Sequence, residues 1–371
     1  MKICHLSDSH LGAGEGHPRR GQSGLTARQE DIVNSFIEAA DAIIDLKPDL
    51  CIHSGDLFHA VRPTNRIMAI AGEQLYRLAS ISGIPTVIIA GNHDAPKQAH
   101  LGAALEVYEH IDNLYIAAAS RLKVFELGDV RIFALPHCLT VPILRSELTR
   151  CEPSKETRHN ILVAHGVAAG MPEFSMADLG EQEIPLEVLD RFDYAALGHY
   201  HNHSEVAARA RYAGSTERLS QSERGFAKGF LIVNLEPFRT EFRPVRAREM
   251  VSLEILDGSG KRGDQLVDLI RERVESLDSS DKIVRVRVEG ISEETLKTIP
   301  ADVISELKQK SFSLNITFEK DKSDEAPVLF GRSAIGRLDT GFLRFLDLVD
   351  LDGFDRERLK REALDYLAEE D

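Results

Sequence analysis

Apolar and polar positions along the first half of the chain follow a pattern typical of strands joined by helices. The apolar runs KICHLS (2–7), DLCIHS (49–54) and TVIIA (86–90) predict strands, and helical stretches near residues 28–46 and 64–82 separate them. Such alternation predicts an α/β layered fold. Five later apolar runs with fewer helices between them predict a mixed sheet or two stacked sheets: LKVFEL, VRIFAL, NILVAHG, YAALGH and GFLIVNL.

The pattern restarts near residue 250. The runs VSLEIL, KIVRVRVEG and SFSLNITFE predict strands of a small α+β unit, with helices at about 265–275 and from about 301. We therefore expect four parts: a main domain (1–249), a small α+β domain (250–320), a polar linker (321–338) and a helical tail (339–371). In the tail, two short amphipathic helices cannot bury their apolar faces alone. They are expected to dock either on the small domain or on another chain.

Composition narrows the class of protein. The sequence has no run of about 18 apolar residues, and it begins without the apolar segment of a signal peptide, so neither a membrane span nor a secretory leader is predicted. Its four cysteines show no CxxC spacing, which favours a reducing cytoplasm. The net charge of −15 argues against broad nonspecific binding to nucleic acid.

Polar clusters follow five of the predicted strands. They read DSH (8–10), GDLFH (55–59), GNHD (91–94), HG (165–166) and GHYH (198–201). Strand ends are where an α/β fold exposes functional groups. Together the clusters offer Asp, Asn and His without Cys, a donor set that suits Mn²⁺, Fe²⁺ or Zn²⁺ in an open catalytic site rather than structural zinc.

Spacing within the clusters supports a shared site. Asp8 and His10 lie two residues apart, as do His199 and His201, so on an extended strand end each pair is expected to point the same way. A single His of this kind is more often a surface or core residue. Five clusters in one chain make coincidence a poor explanation.

In this order, the motifs DxH, GDxxH, GNHD, HG and GHxH resemble those of the calcineurin-like metallophosphoesterases, over about residues 1–235. The resemblance implies two mixed β-sheets flanked by helices, and two divalent ions of the kind that grip the attacking and leaving oxygens of a displaced phosphate. It assigns one ion to Asp8, His10 and His201. It assigns the other ion to Asn92, His165 and His199, with Asp56 bridging the two.

Three further residues of these clusters are candidates for catalysis. His93 is not needed as a ligand, and Asp94 beside it is expected to orient its ring and raise its pKa, which would make His93 a proton donor to the leaving alkoxide. The alternative is that Asp94 only caps the following turn. His59 is expected to contact the phosphate or to stabilise the transition state.

Within this superfamily, the sequence most resembles the SbcD-type DNA repair nucleases. The resemblance rests on His59, on the segment RYAGSTERLS (211–220) followed by KGFLIVNL (228–235), and on the long chain beyond GHxH. It implies Mn²⁺-dependent 3′→5′ exonuclease and single-strand endonuclease activity on DNA, an SbcC-type ABC ATPase with a coiled coil as partner, and a homodimer. Arg19, Arg20 and Arg62 are expected to rim the site and contact DNA; the alternative is that they are solvated loop residues.

Two other functions stay open at this point. One is a phosphodiesterase acting on a small nucleotide or a lipid-linked diphosphate. The other is a non-catalytic scaffold that keeps the fold. The segment DGSGKRG (257–263) lacks the spacing of a phosphate-binding P-loop, so it is predicted to be a turn between a strand and a helix.

Overall fold

The computed structural model describes residues 1–98, 100–170, 182–320 and 358–360. Every predicted apolar run contains a strand. The structure adds six strands that were not predicted, at Leu114–Ala117, Val167–Ala168, Glu183–Ile184, Ser204–Ala207, Ala210–Tyr212 and Phe238–Pro244. The bounds of all these strands are β1 Lys2–Leu6, β2 Leu50–His53, β3 Thr86–Ile89, β4 Leu114–Ala117, β5 Lys123–Leu127, β6 Val130–Leu135, β7 His159–His165, β8 Val167–Ala168, β9 Glu183–Ile184, β10 Tyr194–Gly198, β11 Ser204–Ala207, β12 Ala210–Tyr212, β13 Gly229–Leu235, β14 Phe238–Pro244, β15 Met250–Ser252, β16 Leu256–Asp257, β17 Ile283–Ile291 and β18 Ser313–Lys320.

The four helical stretches predicted within the described residues each contain a helix, and the structure adds three short helices at Val141–Thr149, Leu186–Leu189 and Glu293–Lys297. Thr26 caps the first helix through a capping box with Gln29, and Thr64 caps the second. The second helix ends earlier than predicted and continues as a π-helical turn over Arg77–Ile81. The helix bounds are α1 Ala27–Leu46, α2 Asn65–Tyr76, α3 Val141–Thr149, α4 Leu186–Leu189, α5 Gly263–Glu275, α6 Glu293–Lys297 and α7 Ala301–Lys310; short 3₁₀ turns cover Ala104–Tyr108, Gln221–Glu223 and Ser279–Asp281.

The larger part of the molecule is built on two stacked six-stranded sheets. The first has the order β14-β13-β1-β2-β3-β4, in which β1 to β4 run parallel and β13 lies antiparallel to β1. The second has the order β11-β12-β10-β7-β6-β5, with β6, β7, β10 and β12 parallel. Both sheets are therefore mixed, as the family resemblance implies.

Alternation along the strands explains the layers. Ile52 and Val163 point into the apolar core between the two sheets. Their neighbour Cys51 faces the core shared with α1 and α2, while Leu162 faces the core shared with α3 and α4. Each central strand is therefore buried on both faces, which is why it reads as a continuous apolar run. The layers follow the order helix, sheet, sheet, helix.

Residues after Met250 form a small α+β unit on a separate core. The predicted strand VSLEIL is divided into β15 and β16, which both pair with β17. Residues 258–262, the segment that hinted at a phosphate loop, connect β16 to α5 as predicted. The predicted linker and tail lie outside the described residues, apart from residues 358–360, which are helical.

Candidate metal centre

Five polar clusters meet at one edge of the two sheets. Strands β1, β2 and β3 are parallel neighbours in the first sheet, and β7 and β10 are parallel neighbours in the second. The carboxyl ends of parallel strands lie at the same edge, so the residues that follow them converge. Those residues carry all seven ligands that the family resemblance implies.

The first group is Asp8, His10 and His201. One ligand atom from each lies within 4.8 Å of the others, and the Nε2 atoms of His10 and His201 are 3.1 Å apart. This convergence was expected to follow from an extended strand end, and that reason was wrong. Strand β1 ends at Leu6, and Asp8 and His10 then take positive φ angles of 51° and 46°. Left-handed backbone, rather than an extended strand end, aims both side chains inward.

The second group is Asn92, His165 and His199. The amide Oδ1 of Asn92 lies 2.9 Å from Nε2 of His165 and 3.0 Å from Nδ1 of His199. His199 and His201 do not share one direction, contrary to the spacing argument. The φ of His199 is 105°, which breaks the alternation of an extended strand and sends the two rings to different groups.

Asp56 lies between the two groups. Its Oδ2 atom is 3.5 Å from Nε2 of His10 and 3.5 Å from Nε2 of His165. Burial alone would raise the pKa of the Asp56 carboxyl, but His165 and His10 hold it well below its usual range. Burial likewise opposes the charged form of His165, yet the Asp56 carboxylate raises the pKa of that imidazole to about 9. The buried carboxylate therefore stays ionised.

Two glycines make room for this carboxylate and for the ring of His165 beside it. A Cβ on Gly91 would lie 2.1 Å from Oδ1 of Asp56, and a Cβ on Gly55 would lie 2.3 Å from Nδ1 of His165. Gly55 also has a φ of 106°, which side chains rarely adopt. These motif glycines are required for close approach rather than for general flexibility.

The geometry fits two divalent ions. Two ligands that each lie about 2.1 Å from one ion, at right angles to one another, are about 3 Å apart. The nitrogen pair of His10 and His201 and both contacts of Asn92 Oδ1 match that spacing. A buried carboxylate facing both groups suits a shared ligand. The donor set of imidazole, carboxylate and amide oxygen is compatible with Mn²⁺, Fe²⁺ or Zn²⁺.

His93 is positioned by a different partner from the one expected. Its Nδ1 lies 3.1 Å from the carbonyl oxygen of His59, which fixes the ring with its Nε2 on the other side. Among the described residues, no hydrogen bond or ion pair joins Asp94 to this ring. It is fully buried and accepts hydrogen bonds from the backbone N–H groups of Gly91 and Phe58. Burial, together with the Asp56 carboxylate, raises the pKa of Asp94 to about 8. Asp94 therefore ties its own loop to the segment that carries Phe58. It neither orients His93 nor caps the turn that follows it, so both expectations for Asp94 were wrong.

His59 lies beside His10 at the exposed rim of the site. The Nδ1 atoms of the two rings are 3.3 Å apart, and the His59 and His93 rings stack with centroids 5.2 Å apart. One nitrogen from each of His10, His59 and His93 also falls within 4.8 Å of the others. His59 and His93 thus face the same open side of the centre.

The three arginines expected at the rim have different surroundings. Arg62 is exposed and lines a cavity of about 360 Å³ together with His59 and the loop containing Gly14. Arg20 is exposed on the same loop. Arg19 instead donates hydrogen bonds to the carbonyl oxygens of Gln309 and Ser311 in the small unit. Its guanidinium is therefore engaged within the protein.

Sequence reasoning missed a buried pair behind His201. Glu223 accepts a hydrogen bond from Nδ1 of His201 over 3.1 Å, and the ammonium of Lys228 lies 2.5 Å from the other carboxylate oxygen. Burial would raise the pKa of Glu223, but His201 and Lys228 lower it to about 2. Lys228 begins the noticed stretch KGFLIVNL, whereas Glu223 lies between the two noticed stretches. No local pattern shows that either residue reaches His201.

In the described part of the chain, no helix is long and apolar enough to cross a bilayer. The four cysteines are buried and unpaired.

Comparison with known proteins agrees with the site. Residues 1–203 match the model of the calcineurin-like phosphoesterases. The chain is 32% identical over 203 residues to the DNA double-strand break repair protein Mre11 of Sulfurisphaera tokodaii, covering 54% of this chain and 49% of that protein. It is 26% identical over 304 residues to the protein of that name from Sulfolobus acidocaldarius, covering 78% of this chain and 75% of that protein. The protein of that name from Methanococcus maripaludis is 30% identical over 252 residues, which cover 63% of this chain and 63% of that protein.

The first of these matches spans about half the length of the relative. The family model, in contrast, covers more than half of the present chain and includes all five motifs. This chain therefore belongs to the calcineurin-like phosphoesterase family, which confirms the family, the fold class and the type of enzyme predicted from its motifs.

Proposed function

We propose that this chain is a Mn²⁺-dependent DNA nuclease and the nuclease subunit of a double-strand-break repair complex. It would act as a 3′→5′ exonuclease on duplex DNA and as an endonuclease on single strands. The observation that carries the proposal is the meeting of two ligand groups around Asp56 at one sheet edge. Similarity to proteins named for DNA double-strand break repair supports DNA as the substrate class.

Seven side chains hold the metal ions in this proposal. Asp8, His10 and His201 form one site, and Asn92, His165 and His199 form the other, with Asp56 shared. The ions supply Lewis acidity, which makes water nucleophilic near neutral pH and stabilises negative charge on the phosphate. Asn92 contributes a neutral oxygen, which limits the negative charge that an arriving phosphodiester meets.

The protein itself supplies the proton for the leaving oxygen. His93 faces the open side of the centre, and the His59 carbonyl fixes its ring, so its Nε2 is the atom proposed to donate. His59 is proposed to contact the phosphate, supported by its exposed position beside His93. Asp94 belongs to the catalytic set only indirectly, since it shapes the loop that carries Asn92 and His93.

DNA contact is proposed for the exposed rim. Arg62 lines the cavity next to His59, and Arg20 extends from the neighbouring loop. Arg19 is the weakest of the three candidates, because its guanidinium already contacts the small unit. Phosphate contacts of this kind set affinity and register rather than sequence preference.

An SbcC-type ABC ATPase with a coiled coil is the proposed partner. Residues 1–249 would form the nuclease domain, 250–320 a capping domain and 321–338 a linker to a partner-binding tail, 339–371. The amphipathic spacing of the tail sequence supports this use. Deleting 339–371 should abolish co-purification with the ATPase and leave Mn²⁺-dependent cleavage by the isolated subunit intact. Unchanged partner affinity, or unfolding of the truncated chain, would contradict the assignment.

We also propose a homodimer. An apolar surface at the end of α2 supports it: Tyr76 is 51% exposed and Val107 is 48% exposed, and both line a cavity of about 370 Å³ with Met68 and Ile111. Exposed apolar patches of this kind mark protein interfaces. Light scattering on the wild type and on Tyr76→Glu tests both parts of the assignment. A monomeric wild type would overturn the homodimer, and a dimer that persists in Tyr76→Glu would overturn this surface as its interface.

The buried, unpaired cysteines support a cytoplasmic location.

The decisive experiment compares substrates. A 3′-labelled linear duplex should be shortened when Mn²⁺ is added and remain intact with a chelator, whereas cyclic nucleotides should be poor substrates. Rapid hydrolysis of a cyclic nucleotide or of a lipid-linked diphosphate, with the duplex left intact, would replace the nuclease with another phosphodiesterase. Metal binding without hydrolysis of either class would favour a non-catalytic scaffold.

A further inference from the structure

A buried ion pair lies directly behind the candidate metal centre. Lys228 is 1% exposed and Glu223 is 4% exposed, and their charged atoms are 2.5 Å apart. Removing two charges from water costs several kcal/mol per ion, and apolar residues in such a place are often as stable or more so. The pair is therefore expected to contribute little to the stability of the fold. A role through the residues that it contacts explains its presence better.

Glu223 contacts the ring of His201. Its Oε1 atom lies 3.1 Å from Nδ1 of His201, while Nε2 of the same ring lies 3.1 Å from Nε2 of His10. A neutral imidazole carries its proton on only one nitrogen. A proton held on Nδ1 by the carboxylate leaves the lone pair of Nε2 directed at the centre. Carboxylate–histidine pairs of this form orient ligands at metal sites.

Lys228 fixes the backbone of the same residue. Its ammonium donates to the carbonyl oxygen of His201 over 2.8 Å and to Oγ of Ser215 over 3.0 Å. The backbone N–H of Ser215 also donates to that carbonyl. The ion pair therefore holds His201 at two points. Glu223 accepts a hydrogen bond from the ring, and Lys228 donates one to the backbone carbonyl. It also neutralises a carboxylate that would otherwise be buried without a partner charge.

We propose that Glu223 and Lys228 are positioning residues that hold His201 in the Nδ1–H tautomer, with Nε2 directed at the centre before any ion arrives. The inference rests on the metal centre of the proposed function. It assigns a role to the ERLSQSERGFAK segment (217–228), which the seven-ligand assignment does not use. It also explains why a buried ion pair is present despite its desolvation cost. Without the pair, His201 would have to adopt one tautomer and one ring orientation at the moment of metal binding.

The test uses the full chain without metal and then with Mn²⁺. In the metal-free wild type, ¹⁵N spectra of the histidine side chains should show His201 protonated on Nδ1. Glu223→Gln keeps the shape of the side chain and removes its charge. It should shift His201 towards a mixture of tautomers. It should also weaken one of the two Mn²⁺ sites by about 10- to 100-fold, the range seen when outer partners of metal ligands are lost.

Glu217→Gln is the matched control. Glu217 is a buried carboxylate on the same segment. It pairs with Arg28 and the backbone N–H of Arg248, and no hydrogen bond or ion pair joins it to His201. Its variant should lose comparable thermal stability but keep the wild-type tautomer and Mn²⁺ affinity. Free Mn²⁺ measured by electron paramagnetic resonance gives both affinities without reference to catalysis.

Three results would overturn the proposal. One is a wild-type His201 that carries its proton on Nε2, which can be measured even if the variant fails to fold. The second is an unchanged Mn²⁺ affinity in folded Glu223→Gln. The third is an equal loss of affinity in Glu217→Gln. If the wild type binds no Mn²⁺ at all, the proposed function fails instead, and the tautomer on the same sample still decides the positioning role.

Discussion

The Oδ2 atom of Asp56 lies 3.5 Å from Nε2 of His165. The same oxygen lies 3.5 Å from Nε2 of His10. The two imidazoles come from different sheets, since His10 follows β1 and His165 ends β7. One buried carboxylate thus lies 3.5 Å from a proposed ligand of each sheet. It joins the two ligand groups into one centre.

Asp56→Asn should abolish turnover and weaken the binding of both ions. The amide keeps the size of the side chain but loses the negative charge that faces both groups. Mn²⁺ titration and duplex cleavage measure the two effects. Asp45→Asn, an exposed carboxylate on α1, should change neither. Near-normal Mn²⁺-dependent cleavage by Asp56→Asn would remove the two-ion interpretation.

His93→Gln should separate chemistry from binding. If His93 donates the proton, the variant should keep its metals and its DNA affinity and lose roughly 10²- to 10⁴-fold in rate. Single-turnover cleavage and Mn²⁺ titration provide the two measurements, with the exposed His110→Gln as control. A variant that loses metal instead would show that His93 is a ligand. The cluster of three imidazoles that His93 forms with His10 and His59 is compatible with that outcome.

Gly91→Ala should damage the centre while the fold survives. The added methyl would lie 2.1 Å from Oδ1 and 2.5 Å from the backbone nitrogen of Asp56, so both the carboxylate and the main chain of Asp56 must shift. We expect Mn²⁺ affinity to fall by about 10- to 100-fold, as when the orientation of a ligand is disturbed. Gly16→Ala is the control, because nothing lies within 4 Å of its added methyl and it stands outside the segment 217–228 that contacts His201. Equal Mn²⁺ affinity in the two variants would show that Asp56 tolerates displacement.

Arg62 and Arg19 should differ in their effect on DNA affinity. Each phosphate contact contributes nearly one unit, about 0.9, to the slope of log affinity against log salt for duplex DNA. Arg62→Ala and Arg20→Ala should each flatten that slope by about this amount. Arg19→Ala should change it little, because its guanidinium contacts carbonyl oxygens of the small unit. An unchanged slope in Arg62→Ala would mean that this arginine is solvated and does not contact DNA.

Much of the fold is local in origin and was predictable. Alternating or continuous apolar runs identify the strands because each central strand is buried on one or both faces. Thr26 and Gln29 mark the start of α1 for the same local reason, a capping box within four residues. The identities of the proposed ligands are also sequence information, since Asp, Asn and His directly after a strand are unusual in a core.

The way in which those ligands meet was not predictable from spacing. Asp8 and His10 converge through left-handed backbone, and the φ of 105° at His199 sends its ring to Asn92 while His201 faces His10. Such angles are unfavourable for most side chains and persist only where surrounding contacts enforce them. Sequence periodicity assumes regular backbone, so it fails at the positions where the site is made.

By itself, the sequence determined which residues follow which strands, and therefore the order of the five motifs and the family. Only the tertiary structure decided the partners. Asp94 accepts hydrogen bonds from Gly91 and Phe58 instead of orienting its neighbour His93, and Glu223 reaches back across 22 positions to His201. The physical reason is distance along the chain: local free energies fix strands and turns, whereas a hydrogen bond between remote residues exists only after the sheets have stacked.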